Sequence, residues 1–322
     1  MLLNCFPVLG GEIMNKPRIG FIGIGVMGAP MAGHLVGAGH PLTVLDIDRT
    51  KAEQLAAEHG GITVADAPRA VAEKSDIVIT MLPSGAYVRD VVLGESGVAE
   101  GLHRGGLLLD TSSSEPWLTI EIAGVLAKKG IAMVDAPVSG AQWGAQSAEL
   151  VFMVGGDKED VSRVMPILNV MGEKVFHLGP IGAGHTMKCI NNLISSISFM
   201  ATAEGLIIGK QFGLDPNVMT DVLNVSTGMS WQSQTQFKQR IINRKFDDPF
   251  RLELMVKDIG IAMELAKRKN LPVPLSALGQ ELWQAAERFS EKGCSLSNMV
   301  LWVEHMTNTQ ITSTSSGTAG EC

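Results

Sequence analysis

The residues best suited to chemistry begin with Gly23-Ile24-Gly25-Val26-Met27-Gly28, a GxGxxG run that follows an apolar stretch and precedes helical periodicity. In that setting each glycine has a task. Gly23 permits a tight turn, Gly25 lets a pyrophosphate approach the backbone, and Gly28 lets helix and strand pack closely. The helix start then offers unpaired N–H groups and a positive dipole end to the anion. Asp46 lies 23 positions after Gly23, at the end of the next strand-like run. It is placed to accept hydrogen bonds from the adenosine ribose, and its charge would repel a 2′-phosphate. NAD is therefore expected over NADP, although Arg49 nearby argues the other way.

Two further constellations stand out. Asp135-Ala136-Pro137-Val138-Ser139-Gly140-Ala141 is a turn just past a strand end, where α/β sheets bind ligands. Its small residues expose backbone N–H groups that could clasp a carboxylate, with the Ser139 hydroxyl as a further donor, though such a stretch is more often a plain turn. Lys188 and Asn192 are four apart, so on a helix they share one face. A lysine early in an apolar helix is by default a snorkelling surface residue. Beside a dinucleotide domain it becomes a proton donor and acceptor, because burial and a cationic nicotinamide would lower its pKa. Lys257-Asp258 reads by default as a solvated ion pair.

The elements that must position these residues are legible in outline. Arg18 to Ile24, Leu42 to Asp46, Ile77 to Met81, Leu107 to Asp110 and Ala132 to Asp135 read as buried strands separated by crossover-length segments, which implies a parallel sheet covered on both faces. Ser114-Glu115-Pro116 supplies a cap, an acid and a first-turn proline to a helix that Gly130 stops. After Gly179-Pro180-Ile181-Gly182-Ala183-Gly184 strand-like runs vanish and helical periodicity continues to about His305. Residues Gly184 to Gln211 predict one helix on the order of 40 Å long at 1.5 Å per residue. Asp215-Pro216 opens another helix, and Pro272 with Pro274 ends the one containing Lys257. The organisation expected is a flexible lead-in over 1–16, a dinucleotide-binding domain over 17–180, an all-helical domain over 181–306 and a disordered Ser/Thr/Gly-rich tail over 307–322.

Composition narrows the function classes. The 322 residues suit about two domains, and 45% apolar content is ample for a core. The formal net charge is -7 with no long Lys/Arg run, so nucleic acid is not an expected partner. The most apolar window, Ile19 to Gly39, is interrupted by residues such as Gly23, Pro30 and His34, so no membrane span is expected there. Four scattered cysteines without CxxC spacing suggest neither a zinc site nor a disulfide framework, and a reducing cytoplasm fits best. The helical half is expected to complete its apolar faces as a homodimer or homotetramer.

The chain resembles the β-hydroxyacid dehydrogenases, the group of 3-hydroxyisobutyrate dehydrogenase and tartronate semialdehyde reductase. The likeness spans about Pro17 to His305 and rests on the opening from Gly20 to Ala32, Met81-Leu82-Pro83, Asp110-Thr111-Ser112-Ser113, the Asp135 to Gly140 turn, the Lys188/Asn192 pair and Lys257-Asp258. It implies an α/β Rossmann domain, doubly wound with a mostly parallel sheet, followed by an all-α domain joined through a long helix, with the substrate cleft between them. By position Lys188 would be the acid/base and Asn192 its partner in orienting substrate. Ser139, Gly140 and Ala141 would hold the substrate carboxylate, Leu82, Pro83 and Ser113 would line the cofactor, and Lys257 would reach the cofactor from the second domain. In NADP-binding members the position of Asp46 is commonly Asn followed by Arg, whereas here Ile47 follows Asp46, which supports NAD.

Departures from the family pattern are few. The usual Ser-Gly-Gly turn has Ala141 in third place, followed by Gln142-Trp143 beside the expected substrate tail. Tyr87 stands where several relatives carry a small polar residue, and Trp231 resembles the tryptophan found there in some members, with a place beside the nicotinamide and a packing role equally open to it. The expected reaction interconverts a small 3-hydroxy acid and its semialdehyde or keto form. Reduction of tartronate, succinic or sulfolactaldehyde-type semialdehydes and oxidation of threonate or serine remain open beside it. Imine reductases and 6-phosphogluconate dehydrogenase are disfavoured by Lys188-Cys189-Ile190-Asn191-Asn192. A non-catalytic NAD-binding adaptor on the same fold is the distant alternative.

Overall fold

The apolar runs become the centre of a nine-stranded, mostly parallel sheet in the computed structural model, which describes residues 16–313. The strands are β1 Ile19–Ile22, β2 Leu42–Leu45, β3 Ile62–Val64, β4 Ile77–Thr80, β5 Leu107–Asp110, β6 Ala132–Asp135, β7 Val138–Ser139, β8 Leu150–Gly155 and β9 Gly172–Gly179. Their order is β3-β2-β1-β4-β5-β6-β8-β7, with β9 also paired to β8. The first six run parallel, and β8 runs antiparallel to β6 and β7. Phe21, Val44, Ile79 and Leu109 lose all contact with solvent because helices cover both faces, and burial of each such side chain is worth about 1.5–3 kcal/mol. Sequence order reverses between β1 and β4, which opens the crevice at the carboxyl ends of those strands.

Eight helices attend the sheet: α1 Gly28–Gly37, α2 Arg49–Glu58, α3 Pro68–Glu73, α4 Gly85–Leu93, α5 Val98–Gly101, α6 Pro116–Lys128, α7 Ala141–Ser147 and α8 Lys158–Met171. The cap expected of Ser114 is not made. Its hydroxyl turns inward to Asp110 Oδ2 at 2.9 Å, and Glu115 holds the cap position while its carboxylate accepts from Gly85 N. A buried carboxylate competes better for the hydroxyl than the helix end does, because solvent cannot replace that bond.

Helix α9, Ala183–Gln211, then leaves the sheet as the axis of a second core. By length and composition it could cross a bilayer. Here Phe199, Ala203 and Leu206 are instead buried against α11 Leu252–Arg268, α12 Pro274–Phe289 and α13 Met299–Thr307, with Phe199 and Trp283 ring centroids 5.7 Å apart. Between α9 and α11 lie α10 Pro216–Asn224, which Asp215 caps through Asn217 N at 2.8 Å, and a π-helical stretch, Ser233–Ile241.

The tail is a correction in part. The tail expected to be disordered begins at 307, yet Thr307 ends α13, and Ile311 is fully buried with its N–H donating to Glu304 Oε1 at 2.7 Å. Lys210 Nζ donates to the Thr312 carbonyl at 2.6 Å. One apolar anchor and a cation from α9 are enough to hold a stretch whose composition is otherwise that of a loop. The expectations for residues 1–15 and 314–322 lie outside the described residues.

Candidate active site

The glycine run forms the turn from β1 into α1. Gly23 has φ +102°, and a Cβ there would lie 2.3 Å from the Met81 carbonyl oxygen. At Gly28 a Cβ would meet the Gly23 oxygen at 1.8 Å, so the helix approaches the turn more closely than any side chain permits. A Cβ at Gly25 would meet nothing within 4 Å, which leaves the backbone open to an approaching phosphate. Helix α1 has no acidic residue in its first turn to oppose an anion. Asp46, just beyond β2, accepts from Ile24 N at 2.7 Å and Asp48 N at 2.8 Å, and so is locked to the turn. Arg49 is engaged by Glu53 and Asp66. These residues fit the adenosine end of a dinucleotide.

The far side of the crevice is built from the ends of β4 and β5. Leu82 N donates to Ser112 Oγ at 2.9 Å, joining the Leu82-Pro83 segment to the Ser112-Ser113 segment. Lys257, on α11, reaches across from the helical domain and donates to the carbonyl oxygens of Pro83, at 3.1 Å, and Ser113. It is thus no solvated ion pair with Asp258: that carboxylate is buried, 3.2 Å from Lys257 Nζ, and accepts from Asn192 Nδ2 at 2.6 Å.

Lys188 completes this group. It lies on α9 one turn before Asn192, and the charges that act on it are those of Asp258 and Lys257. Burial pushes its ammonium below the ordinary lysine range, opposed by Asp258 and reinforced by Lys257. Among the described residues no hydrogen bond or ion pair holds the amine. An amine with a depressed pKa and no structural partner can exchange a proton with a neighbouring hydroxyl.

The turn after β6 sits beside the start of α9, because Asp135 accepts from Gly182 N at 2.7 Å and from His185 N at 2.8 Å. Ser139, at the end of β7, is half-buried. Gly140 and Ala141 follow with φ +129° and +53°, a left-handed kink that starts α7. Trp143 on α7, Tyr87 on α4 and Trp231 ahead of the π-helical stretch are all exposed.

The group that sequence reasoning passed over is His185. It is fully buried, with Nδ1 2.8 Å from Thr119 Oγ1 and Nε2 3.0 Å from the Ser112 carbonyl. Asp110 and Asp135 carboxylates stand 3.6 and 3.7 Å from the ring nitrogens. Gly184 beside it packs against β8, where an added Cβ would lie 2.2 Å from the Met153 oxygen. No spacing along the chain marks this histidine, because its partners lie on α6 and just past β5.

Comparison with known proteins adds the decisive observation. Residues 18–179 match the family model for the NAD binding domain of 6-phosphogluconate dehydrogenase, and residues 182–303 match the NAD-binding model of NADP-dependent 3-hydroxyisobutyrate dehydrogenase. The chain is 34% identical over 294 residues to 2-(hydroxymethyl)glutarate dehydrogenase of Eubacterium barkeri, covering 91% of this chain and 97% of the relative. The chain belongs to the β-hydroxyacid dehydrogenase family. Another β-hydroxyacid dehydrogenase, mouse mitochondrial 3-hydroxyisobutyrate dehydrogenase, is 34% identical to it over 296 residues, 89% of this chain and 88% of the relative. The solved structure of Mycobacterium tuberculosis 3-hydroxyisobutyrate dehydrogenase with L-serine superposes with a TM-score of 0.81 at 31% identity, covering 89% of this chain and 99% of that one. As a β-hydroxyacid dehydrogenase the chain is an NAD-binding oxidoreductase.

Proposed function

We propose that the chain interconverts a small 3-hydroxy acid and its semialdehyde, with Lys188 carrying the hydroxyl proton. The observation that carries this reading is the free, desolvated amine of Lys188 beside Asn192, Asp258 and Lys257, next to segments that suit a dinucleotide. When bound, NAD supplies the hydride acceptor at nicotinamide C4. In oxidation, neutral Lys188 takes the substrate hydroxyl proton onto Nζ; in reduction, its ammonium returns it. Asn192 has one amide N–H committed to Asp258, which leaves the other to orient the substrate oxygen. Ser139, Gly140 and Ala141 hold the substrate carboxylate through the serine hydroxyl and the N–H groups of the left-handed turn. Leu82, Pro83 and Ser113 line the nicotinamide half of the crevice, and Lys257 bridges it.

Asp46 supports NAD over NADP, and Arg49, neutralised by Glu53 and Asp66, is withheld from a 2′-phosphate. The relative that acts on 2-(hydroxymethyl)glutarate and the one solved with L-serine both concern 3-hydroxy acids, which supports that substrate class. The exposed Leu214, Val218, Val222 and Met229 line an apolar groove between α9 and α10, and a second copy of this chain is the proposed cover.

The test is to follow NADH absorbance with 3-hydroxyisobutyrate, 2-(hydroxymethyl)glutarate, glycerate, serine, threonate and 4-hydroxybutyrate, and with the matching aldehydes in reverse. Turnover of one 3-hydroxy acid well above the rest supports the reading. Binding of NADH with no turnover of any pair overturns it and favours the adaptor.

A further inference from the structure

We propose that His185 is a positioning residue that sets where Lys188 stands against the floor of the cofactor crevice. It lies three residues, one turn, before Lys188 on α9. Whatever fixes its ring therefore fixes the azimuth and height of the amine one turn on, since a helix rotates about 100° and rises about 1.5 Å per residue.

The ring is held from both sides. Nε2–H donates to the Ser112 carbonyl at 3.0 Å, and Nδ1 pairs with the Thr119 hydroxyl of α6 at 2.8 Å. The Asp110 and Asp135 carboxylates face it from the ends of β5 and β6. Both are already satisfied by other donors: Asp110 by Thr80, Ser112 N and Ser114, Asp135 by Gly182 N and His185 N. The ring is thus no mere charge partner. Its specific bond goes to Ser112, whose hydroxyl accepts from Leu82 N, and the next residue, Ser113, offers its carbonyl to Lys257. One imidazole ties the helix bearing Lys188 to both segments proposed to line the nicotinamide.

This inference rests on the reading of Lys188 as the proton carrier, so its test includes a measurement that needs no substrate. His185→Leu keeps the apolar volume and removes both bonds; His185→Gln keeps an amide N–H for Ser112 and an acceptor for Thr119. A displacement of about 1 Å can cost about 10² in rate. His185→Leu is expected to lower kcat by about that factor with KM for NAD changed less than about threefold, and His185→Gln is expected to recover most of kcat. In the NAD-bound protein, amide hydrogen exchange over residues 182–192 should quicken about tenfold or more in the leucine variant and not in the glutamine variant. Should the leucine variant fail to fold, Thr119→Val removes the other partner at constant volume and must lower kcat and quicken that exchange in the same sense. A leucine variant with kcat within threefold of wild type, a glutamine variant as impaired as leucine, or unchanged exchange in the substituted protein overturns the proposal. A wild type without turnover on any acid overturns the substrate reading instead, and the exchange measurement still decides His185.

Discussion

Asn192 Nδ2 lies 2.6 Å from Asp258 Oδ2, a buried bond between α9 and α11 that spans 66 positions of sequence. The other oxygen of Asp258 stands 3.2 Å from Lys257 Nζ, which in turn holds Pro83 and Ser113 of the sheet domain. One carboxylate therefore aligns both the amide one turn from Lys188 and the cation that crosses the cleft. Breaking such a bond by removing one partner leaves the other desolvated and unpaired, at about 1–3 kcal/mol or more where the group is charged.

Replacing Lys188 with alanine should lower kcat by about 10² to 10⁴, the usual contribution of a positioned general acid or base. Fluorescence titration with NADH should show binding close to wild type. Near-normal turnover in this variant would remove Lys188 from its role.

Asp258 raises the Lys188 pKa that burial lowers. In the mechanism proposed above oxidation needs the neutral amine, so kcat/KM for the hydroxy acid should rise as pH increases through that pKa. In Asp258→Asn the supporting charge is gone, and the ascending limb should shift to lower pH. A shift to higher pH would contradict this electrostatic account.

Asp46→Asn removes the charge proposed to accept from the ribose hydroxyls. A hydrogen bond to a charged group is worth about 1.5–3 kcal/mol, so KM for NAD should rise about tenfold or more. Discrimination against NADP should fall, as measured by the ratio of kcat/KM for the two cofactors.

Ser139→Ala should raise KM for the acid about tenfold, from the loss of one charge-assisted bond. Its KM for NAD should stay near wild type. Equal effects on both constants would place Ser139 outside the carboxylate site.

Gly184→Ala should destabilise the fold by about 1–3 kcal/mol, because its Cβ would lie 2.2 Å from the Met153 oxygen and 2.8 Å from Asp135 Oδ2. Gly124, exposed within α6 with nothing within 4 Å of an added Cβ, is the control. There alanine should stabilise by about 0.5–1 kcal/mol. Denaturant midpoints of the two variants should move in opposite directions.

Features that depend on neighbours in sequence were legible without coordinates. Strands β1, β2, β4, β5 and β6 are buried on both faces, so each reads as a mainly apolar run without polar alternation. Helix α9 was legible from its length of periodic apolar residues, and the turn from β1 into α1 from its glycine spacing. Strand β9 was not, because residues such as Glu173, Lys174, Phe176 and His177 are exposed and mix charge with apolar groups.

The sequence by itself determined which residue types were present at helical and turn spacing: Gly23, Gly25 and Gly28 before α1, Asp46 after β2, Lys188 and Asn192 on one helix face. Only the tertiary structure decided that Lys257 crosses to Pro83 and Ser113, that Asp258 is a buried bridge, that Ser114 leaves its cap for Asp110, and that His185 rests on Ser112 and Thr119. Spacing along a chain constrains contacts within a turn or a strand. Partners from different elements, such as Ser112 and His185, 73 positions apart, meet only when the packing of sheet against helix brings them together.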